Sequence, residues 1–469
     1  MMIQYDDLFA ATSDKTHNSN AILQRAKKSL LSSFVTGPYR FPANVIFVDR
    51  GKGSKVWDVD GNEYLDMTMG YGPLILGHAP QVTIEASLRA IAKGTTYAIA
   101  NEPEVEMAEL MCDAIPCAER VTFCNSGTEA TMQAIKIARA TTGRSKIASF
   151  EGGYHGVHDL ALIGSPICAG AGPMDSPESA TDCAGIPENV ADNVLKLAFD
   201  SEESLARIRL HKDELAAVII EPVPSGYPVN MQDFLSKLRE VTRECGVLLI
   251  FDEVITGFRC GYGGGQEKFG VIPDIATYGK IMGGGFPAGA VAGTVEAMRS
   301  YISSGDIAQD SIERKVFSVG TFSGNPITMS AGAATLRHLR DNPDIYTRMN
   351  QLTADAKNDL NRWCEEKGIA VQMIGENSWF IPYMGDAPFS HYRSGKDQTH
   401  TLRNVVYSNY MRHLGVYIPD LHTIFFSDAH TNADAEKFVE TSKEVLICMQ
   451  QQGFFGADDA QSLEATGTA

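Results

Sequence analysis

The chain has 469 residues, which is enough for two or three domains of ordinary size. Its 40 basic and 58 acidic residues give a net charge of −18, so nucleic acid and anionic membrane surfaces are poor partners. Its nine cysteines are scattered without CxxC or Cys/His ligand spacing, and the first residues lack the pattern of a signal peptide. These features predict a globular cytoplasmic protein without a bound metal, and argue against a secreted or membrane-spanning one.

The N-terminal part reads first as a polar arm and then as a meander of short strands. Residues 1–20 are polar and are expected to be poorly ordered, and residues 20–31 have the composition of a short helix. From Val45 short apolar runs follow one another, with Asp60 and Gly61 as a hairpin signal between two of them. Residues 1–68 are therefore predicted to form an N-terminal segment and part of a small domain.

Strands and helices alternate in the middle of the chain. Helical patterns occur at 81–93, 104–115, 128–142 and 233–245, and strand patterns occur at 120–124, 146–150, 215–220 and 248–251. This alternation is typical of βαβ units and predicts a large α/β domain, residues 69–326, with a parallel sheet flanked by helices. Residues 164–187 have no period, which predicts a long loop or mobile cover.

The C-terminal part predicts a smaller domain. Helical patterns at about 328–340, 348–366 and 432–450 surround short apolar stretches, so residues 327–455 are predicted to be an α+β unit. Residues 456–469 are small and polar, and are predicted to be a flexible tail.

The stretch from Leu248 to Lys280 carries the strongest signal for chemistry. Its first residues form a continuous apolar run, typical of a strand buried on both faces, which ends at Asp252 and Glu253. Open α/β sheets bind ligands at the carboxyl ends of their strands. Lys280 precedes three glycines in an apolar context, which is not typical of a surface lysine. Asp252 and Lys280 therefore predict a functional site.

A second signal lies at residues 125–130, which read Asn-Ser-Gly-Thr-Glu-Ala between a strand and a helix. Ser126, Gly127 and Thr128 are placed at a helix N-terminus, whose free N–H groups and dipole favour an anion such as phosphate. An ordinary capping box formed by Ser126 and Glu129 explains the same residues equally well.

Six segments occur in a fixed order: NSGTEATMQAIKIARATTGR, FEGGYHG, IIEPV, FDEVITGFR, TYGKIMGGGFPAGA and GTFSGNP. Together they closely resemble the class III, fold type I aminotransferases that use pyridoxal 5′-phosphate, with the glutamate-1-semialdehyde aminomutase-like branch most similar. The resemblance runs from about Val45 to His430. It implies a large domain with a mixed, mostly parallel sheet and a smaller α+β domain built from both termini.

The resemblance implies roles for the residues of both signals. Lys280 would hold the cofactor as a Schiff base and then act as a general base. Asp252 would pair with the pyridine nitrogen and make the ring an electron sink. Ser126, Gly127 and Thr128 would bind the phosphate.

Five further residues match the family. Tyr154 and Val254 would cover the two faces of the ring, although each is also explained as a core residue. His155 and Glu221 would have supporting roles, because a buried polar group that holds a loop is the commoner explanation. Thr321 would reach the phosphate of the partner subunit's cofactor, which implies a homodimer.

Three residues bear on the substrate. Arg40 matches an arginine that anchors a substrate carboxylate in the family, and a surface arginine is the alternative. Tyr71 stands where relatives have a tryptophan that walls the pocket, and plain packing is the alternative. His422 aligns with a glutamate of the aminomutases that takes part in switching between cofactor forms, and an imidazole cannot replace an anion there.

The partner of the ring hydroxyl also differs from the family pattern. Relatives place an Asn or Gln after the residue that matches Glu221, but Pro224 has no N–H to donate. Ser225, Tyr227 or a water molecule is left to fill this place.

The leading hypothesis is a pyridoxal-phosphate aminotransferase for a small carboxylate-bearing amino acid and an oxo acid or aldehyde. Glutamate-1-semialdehyde 2,1-aminomutase and an amino-acid racemase or epimerase are the alternatives on the same scaffold. A cofactor-binding regulator without turnover would not need both Lys280 and Asp252. A nucleotide-binding enzyme is disfavoured, because residues 261–266 lack the last glycine of a dinucleotide fingerprint.

Overall fold

The computed structural model describes residues 3–30, 45–165, 170–226, 228–385, 387–394 and 398–455. The strands, in chain order, are β1 (Val48–Lys52), β2 (Lys55–Asp58), β3 (Glu63–Asp66), β4 (Arg120–Cys124), β5 (Lys146–Phe150), β6 (Val194–Leu197), β7 (Leu215–Ile220), β8 (Leu248–Asp252), β9 (Ile275–Gly279), β10 (Gly289–Gly293), β11 (Gln372–Ile374), β12 (Trp379–Tyr383), β13 (Val416–Tyr417) and β14 (Ile424–Phe425). The helices are α1 (Tyr5–Ser13), α2 (His17–Ala26), α3 (Gln81–Ile91), α4 (Glu102–Ala114), α5 (Gly127–Thr142), α6 (Glu202–Leu210), α7 (Gln232–Cys245), α8 (Gly264–Phe269), α9 (Ile307–Ile312), α10 (Pro326–Asp341), α11 (Asp344–Lys367), α12 (Gln398–His413) and α13 (Asn432–Gln451). Two 3₁₀ turns lie at Glu188–Asn193 and Lys280–Gly283.

These elements form two compact units. The smaller unit comprises residues 1–71, 75–80 and 347–469, and the larger unit comprises residues 72–74 and 81–346, each as far as it is described. The boundary predicted at residue 327 differs from the observed one, because α10 packs on α3 and α4 of the larger unit. The predicted tail at 456–469 lies outside the described residues.

The larger unit is built on a seven-stranded sheet with the order β4-β10-β9-β8-β7-β5-β6. β10 runs antiparallel to β4 and β9, and the other neighbouring strands are parallel. β7 is apolar and buried along its whole length, as expected of a central parallel strand. The predicted α/β architecture with a mixed, mostly parallel sheet is confirmed. The carboxyl ends of β4, β5, β7, β8 and β9 lie at one edge, where such sheets bind ligands.

α5 shows how the local sequence sets an element's bounds. The Ser126 hydroxyl accepts a hydrogen bond from the N–H of Glu129 at the start of the helix. Gly143 ends the helix with a φ of 72°, which glycine adopts without strain. The small side chains of Ala134 and Ala138 are buried against the sheet, so the helix backbone approaches the strands closely.

The smaller unit combines both ends of the chain. β1, β2 and β3 form an antiparallel meander, and β13 pairs with β3 in parallel. A second sheet has the order β11-β12-β14, and α11, α12 and α13 share one apolar core with these strands. The predicted hairpin at Asp60 and Gly61 and the α+β domain built from both termini are confirmed.

The prediction that residues 1–20 are poorly ordered is wrong. α1 and the start of α2 fall in this stretch, and Leu8 is fully buried in the core of the smaller unit. The ring of Tyr5 lies 5.9 Å from that of Tyr410 and 5.8 Å from that of Phe454. The segment is polar overall, but contacts with residues at the far end of the chain order it.

None of the helices in the described residues is long and apolar enough to cross a bilayer. Within the same residues, no group of three or more His, Cys, Asp or Glu side chains could hold a metal ion.

Candidate active site

Asp252 is a buried carboxylate at the carboxyl end of β8. Its Oδ1 accepts hydrogen bonds from the N–H of Val254 (3.1 Å) and the hydroxyl of Thr277 (3.2 Å). Its Oδ2 lies 2.8 Å from Nδ1 of His155. Thr277 stands opposite Asp252 in the register of β8 and β9. Three neighbours on three different segments therefore hold one carboxylate in a fixed orientation.

His155 follows β5, in the turn of residues 151–156, and is 3% exposed. Its Nε2 atom is buried and has no hydrogen-bond partner among the described residues. A proton on Nε2 would be an unsatisfied buried donor, so the ring is best accommodated with its proton on Nδ1, donated to Asp252. Nε2 faces Gly153 instead, where an added Cβ would lie 3.2 Å from it.

Glu221 directly follows β7, and its carboxylate joins two loops. Oε2 accepts the N–H of Tyr154 (3.0 Å), and Oε1 accepts the N–H of Ser225 (3.1 Å). Burial is the main cause of a raised pKa of the Glu221 carboxyl, and the charge of Asp252 adds to it. The Tyr154 side chain is 42% exposed, so its ring is accessible to a ligand. Pro224, which lies in the segment between Glu221 and Ser225, is buried.

Lys280 begins the 3₁₀ turn after β9, and its φ of 50° lies in the left-handed region, uncommon for residues other than glycine. Burial, and then the cation of Arg259, lower the pKa of its amine to about 8, and the carboxylates of Asp252 and Glu221 oppose this shift. Arg259 is fully buried and donates a hydrogen bond to the carbonyl of Gly72. An amine with this pKa is partly neutral near physiological pH and can act as a nucleophile.

The helix N-terminus predicted at Ser126 is present. The Ser126 hydroxyl accepts the N–H of Glu129 (3.1 Å), and the Glu129 carboxylate accepts the N–H of Asn125 (2.8 Å). This capping uses the third N–H group of the helix and leaves those of Gly127 and Thr128 at its open end, where an anion is favoured. Capping and anion binding are therefore compatible here.

Val254 connects this helix end to the two strand ends. An added Cβ on Gly127 would lie 3.0 Å from both methyl carbons of Val254, and one on Gly279 would lie 3.3 Å from Cγ1 of the same side chain. Gly279 directly precedes Lys280, and Val254 is hydrogen-bonded to Asp252 through its N–H. The anion site, the carboxylate and the amine are thus brought together at one edge of the sheet.

Tyr71 and His422 are neighbours in the smaller unit. Their ring centroids lie 4.5 Å apart, with the planes tilted by 57°. Nδ1 of His422 accepts the N–H of Thr423 (2.8 Å), so the neutral ring carries its proton on Nε2. Tyr71 has a φ of 65°, and the pKa of its phenol is raised, mainly by burial. The structure brings these two candidates together.

Two further candidates lie outside the described residues, and a third lies in an exposed turn. Arg40 and Tyr227 lie outside the described residues. Thr321 lies in an exposed turn between α9 and α10, and no hydrogen bond joins it to another candidate residue there.

Sequence reasoning did not single out Thr277 or Arg259. Thr277 is a polar residue inside the otherwise apolar and buried β9, and Arg259 follows Phe258, which is also buried. A polar side chain in a fully buried apolar run is the signal that could have found both, because such a group is costly unless it has a partner.

The residues at the sheet edge fit a ligand with an anionic end, an aromatic ring and a carbonyl group. The open end of α5 at Gly127 suits a phosphate, and the amine of Lys280 suits a carbonyl. Asp252 suits a protonated ring nitrogen, and Tyr154 offers an aromatic face. This combination defines a pyridoxal-phosphate enzyme of fold type I.

Comparisons with known proteins agree. The sequence model of the family described as Aminotransferase class-III matches residues 39–376. Glutamate-1-semialdehyde 2,1-aminomutase 2 of Lachnoclostridium phytofermentans is 39% identical, over 89% of this chain and 96% of that one. Glutamate-1-semialdehyde 2,1-aminomutase of Methanocaldococcus jannaschii is 38% identical, over 92% and 98%.

The fold comparison gives the same class. The crystal structure of an omega-transaminase from Sphaerobacter thermophilus matches with a TM-score of 0.84 and 35% identity, covering 92% of this chain and 97% of that one. A transaminase with PLP bound matches with a TM-score of 0.82 and 30% identity, covering 93% and 99%. The chain therefore belongs to the class III aminotransferases, which are enzymes dependent on pyridoxal 5′-phosphate, and the resemblance found in the sequence is confirmed.

Proposed function

We propose that this class III aminotransferase moves an amino group between a small carboxylate-bearing amino acid and an oxo acid or aldehyde, with Lys280 and Asp252 as its catalytic residues. The observation that carries the proposal is the pair itself. A buried carboxylate ends β8, and an amine with a lowered pKa follows the adjacent parallel strand β9. A protein that only bound the cofactor would need the anion site alone.

Each residue of the site has its own role in the proposed reaction. When bound, the cofactor supplies an electron sink for negative charge at the substrate carbon. Nζ of Lys280 would hold the cofactor and would serve as the base that moves a proton at the carbon bearing the amino group. Asp252 would pair with the ring nitrogen. The N–H groups of Gly127 and Thr128, with the Ser126 hydroxyl, bind the phosphate.

Four residues orient these groups. Tyr154 and Val254 limit the motion of the ring from its two faces. His155 fixes the Asp252 carboxylate through Nδ1, and Glu221 fixes the backbone of Tyr154, which is supported by the two hydrogen bonds measured above.

Substrate recognition is assigned to Arg40, Tyr71 and His422. Arg40 would bind the substrate carboxylate through its guanidinium, and the other two would contact the rest of the substrate. These assignments rest on the family resemblance, together with the contact between the Tyr71 and His422 rings. The partners of the enzyme are small molecules, and its cytoplasmic location stays a prediction.

A panel of α-, β- and ω-amino acids added to the pure protein tests the proposal. The absorbance of the lysine-bound cofactor should change to that of the amine form, and an oxo acid should then reverse the change. Borohydride should attach the cofactor permanently to the peptide that contains Lys280. A colourless protein that borohydride does not trap at this lysine would contradict the proposal.

The aminomutase reaction is the second candidate, because the relatives described above carry that name. His422 argues against it, since it stands where the aminomutases have a glutamate. A mutase or a racemase returns its own amine and needs no external acceptor. If no common oxo acid discharges the amine form while a single substrate isomerises, the transferase proposal is wrong and the second candidate replaces it.

A homodimer in which Thr321 reaches the partner's cofactor completes the proposal. The apolar side chains on both sides of Thr321 support it, since Phe317, Val319 and Phe322 are each more than half exposed. Such side chains are expected to be covered by a second copy of the chain.

Mixed dimers test this arrangement. Lys280→Ala and Thr321→Ala subunits should each be impaired alone, but a mixed dimer would contain one site with both residues intact. Recovery of activity on mixing is therefore expected. A chain that is monomeric by light scattering, or mixtures without recovery, would contradict the shared site.

A further inference from the structure

Lys196 is a buried lysine in the sheet of the larger unit, and the proposed chemistry does not use it. It lies in the edge strand β6 and is 1% exposed. Its Nζ donates hydrogen bonds to the hydroxyl of Ser149 (2.9 Å) and to the carbonyl of Phe150 (3.2 Å), both on the neighbouring strand β5. Both acceptors are part of the sheet, so the lysine side chain has a single well-defined position.

The carbonyl of Phe150 is where β5 passes into the turn of residues 151–156. The same oxygen accepts the N–H of Gly153 at 3.1 Å. Lys196 therefore shares an acceptor with the turn that carries Tyr154 and His155. Any shift of this carbonyl changes the starting point of the turn.

The stem of Lys196 supports a second segment. An added Cβ on Gly164 would lie 2.6 Å from Cε of Lys196, so the backbone there rests directly on the lysine. Gly164 accepts the N–H of Gly152 (3.0 Å) and donates its own N–H to the carbonyl of Ala180 (3.0 Å). Lys196 thus packs against Gly164 at the point where this residue is hydrogen-bonded to Gly152 of the turn.

We propose that Lys196 is a positioning residue that fixes the turn of residues 151–156 against the sheet and thereby holds Tyr154 and His155 at the cofactor site. The proposal rests on the proposed function, because it takes these two residues to face the cofactor. A lowered pKa of the Lys196 amine, about 8 and caused mainly by burial, is consistent with this role. An amine that gives up its charge is buried at lower cost.

Lys196→Met tests the proposal, because methionine has a similar length and no donor. Ser149→Ala is the matched control, since it removes one acceptor and leaves the contact with Phe150. Amide hydrogen exchange on the full chain, with and without the cofactor, should become about tenfold faster at residues 151–156 in Lys196→Met. Exchange in α5 and β8 should not change, and Ser149→Ala should stay close to the unchanged protein.

Cofactor binding gives a second measurement. At saturating pyridoxal phosphate, the circular dichroism of the bound ring, which depends on its orientation, should change in Lys196→Met and not in Ser149→Ala. The dissociation constant should rise about three- to tenfold. If Lys196→Met does not fold, Lys196→Gln, whose donor is too short to reach, replaces it in the same comparison.

Three results would overturn the proposal: unchanged exchange at residues 151–156, equal acceleration throughout the larger unit, or equal effects of the two variants. Failure of the proposed function is distinguishable from these. A protein that binds no cofactor would refute the function, while the exchange measurement would still report on the contact between Lys196 and Phe150.

Discussion

Lys196 is a buried lysine inside β6, and Lys280 is a partly buried one directly after β9; loss of hydration lowers the pKa of each amine to about 8. They differ in what surrounds the amine. Lys280 follows a strand end with a left-handed backbone, and the cation of Arg259 adds to its shift. Lys196 lies within a strand and directs its N–H groups at fixed acceptors. A lowered pKa therefore marks an amine that is removed from water, whereas position beyond the carboxyl end of a strand distinguishes the chemical lysine from the positioning one.

Replacing the two lysines should give the largest contrast. Lys280→Ala should abolish borohydride trapping and lower the rate of amine transfer by about 10²- to 10⁴-fold, because nucleophile and proton carrier are lost together. In Lys196→Met, borohydride should still trap the cofactor, and the rate of amine transfer should fall by about tenfold or less. Half-reaction absorbance measures both. Trapping that persists in Lys280→Ala would remove the distinction between the two residues.

The orientation of the Asp252 carboxylate should depend on which nitrogen of His155 carries the proton. His155→Asn keeps a donor near the position of Nδ1, whereas His155→Gln places one near Nε2, which has no hydrogen-bond partner in the described part of the chain. The half-reaction should slow at least about tenfold in His155→Gln and only slightly in His155→Asn, as expected for loss of one buried hydrogen bond to a charged group. Equal rates in the two variants would contradict the Nδ1 assignment.

Arg259 should influence the pKa of the Lys280 amine and not that of Lys196. Below its pKa the Lys280 amine is protonated and cannot attack, so the rate of cofactor attachment should rise as pH increases through about 8. Arg259→Gln removes the neighbouring cation, which raises the pKa of Lys280, so this rise should move to higher pH and attachment at neutral pH should slow several-fold. Arg259→Lys keeps the charge and should shift the profile less. A profile that does not move in Arg259→Gln would contradict this role.

The smallest effect is expected in stability. In the unfolded chain a lysine stays protonated up to about pH 10.4, whereas Lys196 loses its proton at about 8 in the folded protein. Between these values the folded state binds fewer protons, so the free energy of unfolding increases with pH, by at most about 1.4 kcal/mol per unit for one such group. Lys196→Met should flatten this increase in urea denaturation between pH 8 and 10. Parallel curves for the two proteins would show that Lys196 keeps an ordinary pKa.

The local sequence was sufficient to predict an element or a site residue where a single segment determines it. The apolar run of β8 predicted a buried strand with Asp252 at its end, and the residues around Ser126 predicted a helix N-terminus. The resemblance then assigned Lys280. None of these inferences needed the identity of a distant partner.

Sequence reasoning failed where the deciding partner is remote. Tyr5 is ordered by Tyr410, and residues 1–20 carry no sign of that contact. Lys196 lies in a stretch for which no strand was predicted, and its role depends on the carbonyl of Phe150 on another strand. Nothing in the sequence near Asp252 specifies Thr277 as its hydrogen-bond partner.

The contacts of Val254 with Gly127 and Gly279 have a consequence for selectivity. An added Cβ would lie 3.0 Å from Val254 at Gly127 and 3.3 Å from it at Gly279, so under the proposed roles the distance between the phosphate-binding N–H groups and Lys280 is set by closely packed backbone. On the proposed function, we therefore expect the enzyme to discriminate among vitamin B6 compounds by molecular length. A homologue of the cofactor with one more methylene before the phosphate would be too long to engage both ends at once.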